Sequence, residues 1–267
     1  MSFHKALSTW TLAAGLLFIA GPAHAGWYAK QTHTSGRGSQ DSEMYYEDHK
    51  LRIDNPDKTS VVVELGTGGF TFIDHGKKLV ATATLDELIK LRDEMMGQMR
   101  AQLKAAPPEV RTQIEKSLDD QDKAMKSDPK MEKTAKTDKV AGISCQIYTW
   151  KAPDGDGEAC LADKPGVDMG DFRKDATALG KKLAAMGVGR GATSVPLLQL
   201  ADYGFPMKNK RTMSMGAQTM EMTTEIKELK SQKVGGDKFT IPADYQKKTF
   251  KELMMAGAGG GGGPAPR

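Results

Sequence analysis

The chain has 267 residues, with 38 Lys and Arg against 34 Asp and Glu, a net charge of +4 and 6% aromatic residues. So even a charge, without a basic stripe interleaved with aromatics, argues against nucleic-acid binding, and Lys208-Asn209-Lys210-Arg211 reads as a solvated hairpin turn.

Lys5 precedes an apolar run from Trp10 to Ala20, and Gly21-Pro22-Ala23-His24-Ala25 ends in the small-x-small pattern of a signal-peptidase site. Residues 1–25 therefore read as a secretory leader cut before Gly26, with a retained anchor as the alternative. The run is shorter than the about 20 residues that span a bilayer. No later stretch is as apolar, and no cysteine follows the cut to carry a lipid. The expected product is a soluble periplasmic protein of 242 residues and net charge +3. That length suits one domain, residues 26–255.

From Glu43 the chain alternates. Met44 and Tyr46 lead to a polar break at Asp48-His49-Lys50, and Leu51 and Ile53 resume the pattern up to Asn55-Pro56-Asp57. Val61, Val63 and Leu65, then Phe70 and Phe72, then Leu79 to Thr84 follow, separated by short turns. Period two with short turns predicts an antiparallel meander, because parallel pairing needs a long crossover. At Thr84-Leu85-Asp86-Glu87 a capping box opens a helix. Leu85, Leu88, Ile89, Met95, Met96, Met99 and Leu103 share its apolar face. Arg92 falls in the middle of that face, where it must pair, lay its stem on the core or face a wet cavity.

Pro107-Pro108-Glu109 starts a second helix with a thin stripe of Val110, Ile114 and Leu118, ended by Ser127-Asp128-Pro129. The two helices form an insertion at about 84–126. Met131 to Asp138 reads as a polar edge strand, Gly142 to Trp150 as a strong one, and Pro153 to Gly157 as a turn into Glu158–Ala162. Cys145 and Cys160 stand on the arms of that hairpin. In an exported chain they read as a disulfide, the alternative being two thiols that point apart. A third helix runs from Asp168 or Asp171 to Met186, with Phe172, Ala176, Leu179, Leu183 and Met186 on one face and Gly187 as its cap; Gly189 to Pro196 is a loop. Phe205–Met215 and Gln218–Lys230 form a hairpin turned at Gly216-Ala217. Phe239-Thr240-Ile241-Pro242 reads as the last strand, and 256–267 as a glycine-rich disordered tail.

Met44-Tyr45-Tyr46, Lys50-Leu51-Arg52-Ile53, Phe72 to Lys78, Gly142-Ile143-Ser144-Cys145, Gly204 to Lys208 and Phe239 to Tyr245 together resemble the exported bacterial family called domain of unknown function 4412. That family is similar in shape to the periplasmic lipoprotein carriers, whose open, curved antiparallel sheet is covered by helices over an apolar cavity. The resemblance implies a fold and no activity. The expected architecture is α+β: a single curved, partly closed antiparallel sheet, a half-barrel, covered by helices 84–126 and 168–186.

The chain has sixteen methionines, and they concentrate on the first helix, at Met95, Met96 and Met99, and on the strands at Met213, Met215, Met220 and Met222. Flexible thioethers suit a surface that accommodates variable acyl chains, and they also fill irregular cores. The candidate ligand face is Arg92, Leu88, Met95, Met96, Met99 and Leu103, with Arg92 as headgroup partner or simple ion pair. The ligand would be a lipid or an acylated protein, and the alternative is a structural or interaction module with no ligand. Methionine-bound Cu(I) is a third reading, to which His33, His49 and His75 bring no ligand spacing. Asp154 to Glu158 starts like a calcium loop, but Ala159 and Pro165 occupy its glycine and glutamate positions. Gly187-x-Gly189-x-Gly191 follows a helix instead of a strand. No G-x-S-x-G, C-x-x-C or H-E-x-x-H is present. The sequence calls for no cofactor, no metal and no enzyme chemistry.

Overall fold

The computed structural model describes residues 26–36, 38–104, 106–126, 130–152, 155–185, 198, 200–215 and 218–253. The leader 1–25, the stop at Ser127-Asp128-Pro129, Gly187, the 189–196 loop, the Gly216-Ala217 turn and the tail 256–267 lie outside the described residues.

Six strands come first: β1 (Trp27–Ser35), β2 (Gly38–Glu47), β3 (Lys50–Asp54), β4 (Thr59–Glu64), β5 (Gly69–Asp74) and β6 (Leu79–Thr84). Helices α1 (Leu85–Leu103) and α2 (Pro108–Lys126) follow, then β7 (Glu132–Val140), β8 (Ile143–Ala152), β9 (Gly155–Ala162) and α3 (Phe172–Ala185). The chain ends with β10 (Phe205–Met215), β11 (Gln218–Ser231), a 3-10 turn (Gly236–Phe239) and β12 (Gln246–Lys248). All described strands join one open sheet in the order β12-β6-β5-β4-β3-β2-β1-β11-β10-β9-β8-β7. Pairing is antiparallel except between β12 and β6.

Local chemistry explains the turns. Asp48 and His49 have φ of 46° and 62°, and Ala141 and Gly142 have 49° and 81°. Two consecutive residues at positive φ suit tight hairpin links whose twist matches that of the strands. Glycine is needed at 157 for a different reason. Trp150 pairs directly with it, and a Cβ there would lie 2.0 Å from the indole. What reads in the sequence as a turn is therefore a strand with a slot cut for a tryptophan.

The sheet is curved. Phe70 of β5 and Val140 of β7 stand far apart in strand order, yet both belong to one hydrophobic core with Phe172, Ala176, Leu179 and Leu183 of α3. The concave face carries cross-strand rows on β2 to β6. Tyr46, Leu51, Val63, Phe70 and Ala83 make one row, and Met44, Ile53, Val61, Phe72 and Ala81 the next. Every member of the first row is buried, whereas Ile53, Val61 and Phe72 in the second are only half-buried.

The strand expected at Phe239 to Pro242 is absent. Phe239 ends the 3-10 turn and the chain stays irregular through Pro242, whose missing N–H suits no ladder position. Phe239 instead packs on the outer face of the sheet, near Val62, Ile73 and Val80 and near Tyr28, Tyr45 and Val234. The final strand is the short β12.

Cys145 and Cys160 are bonded, with Cα atoms 5.2 Å apart and a sequence separation of 15. A closed loop of that size is worth about 3 kcal/mol through the unfolded chain. Chemical denaturation of the Cys145→Ala/Cys160→Ala protein should show a loss of that size, and a loss below about 1 kcal/mol would contradict it.

Candidate functional site

The concave face is built around Trp27, which is fully buried at the start of the central strand β1. Its ring stacks on Tyr46 at 5.6 Å and meets the edges of Phe172 and Phe205 at 5.1 and 5.5 Å. Helix α3 enters through Phe172 and continues its apolar stripe with Ala176, Leu179 and Leu183. Leu179 reaches the β4–β5 turn, where its Cδ1 would lie 3.6 Å from a Cβ on Gly68. Thus α3 fills the end of the concavity lined by the first row, and the second row lies beyond it.

Helix α1 leaves β6 through the expected capping box. Thr84 Oγ1 accepts from the Glu87 amide at 3.2 Å, and the Glu87 carboxylate accepts from the Thr84 amide at 2.7 Å, which holds that carboxyl below its ordinary range. The expected ligand face divides along the helix. Leu85 and Leu103 are buried, Leu88 and Ile89 are half-buried against the main core, Met96 is half-buried, and Met95 and Met99 are 47% and 43% exposed. The N-terminal end of the helix is seated on the main core, its middle is exposed, and its last residue, Leu103, is buried where the chain turns toward α2. Arg92 is one-third exposed on that middle part and donates through Nε and Nη2 to Asp93, its own neighbour, at 3.0 and 2.7 Å. One carboxylate partner of Arg92 thus comes from the helix itself. Arg111 of α2 closes the helical hairpin by donating to the carbonyls of Lys104 and Ala106.

Two clefts on the described residues are small. One of about 60 Å³ is lined by Gly26, Tyr46, Glu47, Asp48, His49, Asp168, Gly170 and Asp171. The other, of about 20 Å³, lies beside Met169, Phe172 and Phe205. At the first, His49 pairs with Asp175 of α3, and that hydrogen bond raises the imidazole above its ordinary value. Burial, aided by Asp175 and Asp171, pushes Tyr46 up to about 12.

Two polar clusters went unread in the sequence because their members are scattered along it. On the concave face, beyond Ala29 and Met44, the inward positions turn polar. His33 Nε2 lies 3.1 Å from Gln31 Nε2 and 2.9 Å from Ser42 Oγ, and its Nδ1 lies 2.9 Å from Thr224 Oγ1. Both nitrogens are engaged, and burial lowers the His33 pKa, favouring the neutral ring. Asn209 pairs with Thr224 in the same cross-strand row, and its Oδ1 is buried without a partner among the described residues.

On the outer face, the Arg52 guanidinium donates to Asp54 at 2.6 Å and to the Lys238 carbonyl at 2.5 Å. Ser60 donates to Asp54 at 2.6 Å and lies 2.8 Å from His75 Nε2, and Tyr245 OH lies 2.8 Å from His75 Nδ1. Serine, histidine and aspartate meet here without the order a nucleophile needs, since the buried Ser60 gives its proton to Asp54. The cluster instead pins the C-terminal segment to the meander. Arg52, His75 and Tyr245 come from three of the short stretches that carry the family resemblance.

These features define a class: an open, curved, mostly antiparallel sheet with one helix in its concavity, a helical hairpin at one edge and a C-terminal segment strapped across its back. The chain belongs to the family described as domain of unknown function (DUF4412), whose model matches residues 82–245. No curated protein matches the sequence. Among solved structures, PNGF-II is similar at 7% identity and TM-score 0.44, over 86% of this chain and 32% of that one. MucB is similar at 10% identity and TM-score 0.40, over 83% and 59%. The MucA/MucB complex of Pseudomonas aeruginosa gives 10%, 0.38, 83% and 57%. The chain thus spans about a third of PNGF-II and under two thirds of MucB. No described helix is long and apolar enough to cross a membrane.

The two histidines titrate with opposite consequences. A lowered folded pKa gives stability that is full above the ordinary value of 6.5 and lost as pH falls through the folded value. A raised one gives stability that is present below 6.5 and lost as pH rises through the folded value. His33→Gln should therefore flatten the fall in melting temperature between roughly pH 7.5 and pH 5. His49→Ala should steepen that fall, as it removes the contribution that grows in acid. A pH profile unchanged by His33→Gln would contradict the burial of a neutral ring.

Proposed function

We propose that this protein is exported to the periplasm and there binds, or transiently shields, an apolar ligand, a lipid or acylated protein. The ligand's seat is the half-buried row Ile53, Val61 and Phe72, and α1 is its cover. The observation that carries this reading is the division of α1. A single line of side chains starts on the core at Leu85 and Leu88, is exposed at Met95 and Met99, and is buried again at Leu103, where the helix ends. A helix seated on the core at its start, with flexible thioethers exposed along its middle, can close on apolar molecules of different shape. Arg92 stands on the same face and would meet a polar headgroup at the rim, at the cost of releasing Asp93.

The leader at 1–25 and the disulfide between Cys145 and Cys160 favour an oxidising compartment. The carrier-like comparison is supported by an open concave sheet with helices beside it. In this reading the chain binds and does not catalyse. A second reading, a ligand-free interaction module, is favoured by the small size of the two clefts, far below the several hundred Å³ of ordinary ligand sites. The Cu(I) reading would use the direct cross-strand pair Met213 and Met220, but both nitrogens of His33, the histidine nearest those strands in the register, are engaged.

Titration of the mature protein with the fluorescent fatty acid cis-parinaric acid separates the first two readings. Burying two methionines is worth about 1.5–3 kcal/mol each, so Met95→Asp/Met99→Asp should weaken binding at least about tenfold. Its melting temperature should change little, because both side chains are already in water. Saturable binding that the double variant leaves unchanged would remove α1 from the site, and no binding at all would favour the interaction module.

A further inference from the structure

After β12 the chain turns from the edge of the sheet back onto its concave face. Thr249 begins a helical turn at 250–253 with a capping box of its own. The Glu252 carboxylate accepts from the Thr249 amide and hydroxyl, both at 2.8 Å, and the Glu252 amide donates to Thr249 Oγ1 at 3.2 Å. The Phe250 ring lies on Phe72, with centroids 4.3 Å apart and planes tilted by 37°. Phe72 belongs to the half-open second row, beside Val61 and Ala81.

The way this turn is held differs from the rest of the C-terminal segment. Val234 is buried, Tyr245 is tied to His75, Lys78 Nζ donates to Asp244 at 2.8 Å, and Lys247 pairs with Val80. Beyond β12, the side-chain hydrogen bonds of Thr249 and Glu252 are to each other, and Phe250, Leu253 and Phe72 all remain half-buried. The attachment up to Lys248 holds the turn near the face without sealing it there.

We propose that the turn at 249–253 is a built-in occupant of the apolar seat: Phe250 rests on Phe72 in place of an acyl chain, and is displaced when that chain binds. The proposal rests on the binding reading above and adds regulation to it. Three features fit a displaceable plug. It presents an aromatic ring to an apolar row, its own box keeps it helical, and β12 tethers it at the sheet edge so that release costs no unfolding of the sheet. A tethered occupant lowers apparent affinity by the fraction of time it holds the site.

The test is titration of the full mature chain and two variants with cis-parinaric acid, with folding checked by circular dichroism. Phe250→Asp should bind about tenfold tighter than the wild type, because the seat is empty in nearly every molecule. Glu252→Ala, which weakens the box without touching the seat, should bind tighter by about threefold. Equal affinity for all three proteins, or weaker binding by Phe250→Asp, would overturn the plug while leaving ligand binding intact. Absence of binding by all three would overturn both the plug and the binding reading.

Discussion

The structure depends on the contact between Trp27 and Phe172. Trp27 sits on the strand that joins the two halves of the sheet, with Tyr46 on one side and Phe205 on the other, and Phe172 brings α3 down onto all three rings. One helix therefore supplies the core for both halves, and geometry limits what it can cover. Fourteen residues make a helix of about 21 Å, whereas twelve strands at about 4.8 Å spacing are more than twice as wide before curling. Curvature brings the edges toward the helix, yet α3 still covers one row of the β2–β6 surface and leaves the next half open. That shortfall creates the apolar shelf at Ile53, Val61 and Phe72.

The periodic parts of the chain were legible in the sequence. β3 to β6, α1 with its capping box, α2, β8, α3 and the β10–β11 hairpin follow hydrophobic alternation or helical spacing, and the cysteine pair was readable from its place on two hairpin arms. The parts that were not legible have physical reasons. β1 lacks the alternation because its later inward positions are Gln31 and His33, members of a buried polar cluster, and Ser42 does the same to the first half of β2. The start of β9 looked like a turn because Gly157 is there to receive Trp150. β12 carries no apolar residue, being held by its backbone and by the strap before it. Conversely, Phe239-Thr240-Ile241 has strand composition, but its aromatic ring is used on the back of the sheet.

The site was legible only as a helix face. The spacing assigns Leu88, Arg92, Met95, Met96, Met99 and Leu103 to one side of α1, but periodicity cannot tell which part of an apolar face is seated. Leu85 and Leu103 are buried at the ends while Met95 and Met99 stand in water, a division set by where β6 ends and how α2 returns. Arg92, for which the sequence left pairing, a stem laid on the core or a wet cavity open, is one-third exposed and paired with the adjacent Asp93. The shelf itself combines residues from three strands and was out of reach of any single motif.

A molecule with a firmly packed end and a loosely covered end should show that difference in its local stability. The direct measurement is native-state hydrogen exchange resolved to single amides. The account predicts that α3 amides around Ala176 to Leu183 exchange only through global unfolding. Amides in the middle of α1, from Arg92 to Met99, should exchange through local opening, with protection well below that of α3. Equal protection of the two helices would contradict it, because α1 would then be sealed on the sheet as firmly as α3 and the shelf would have no opening.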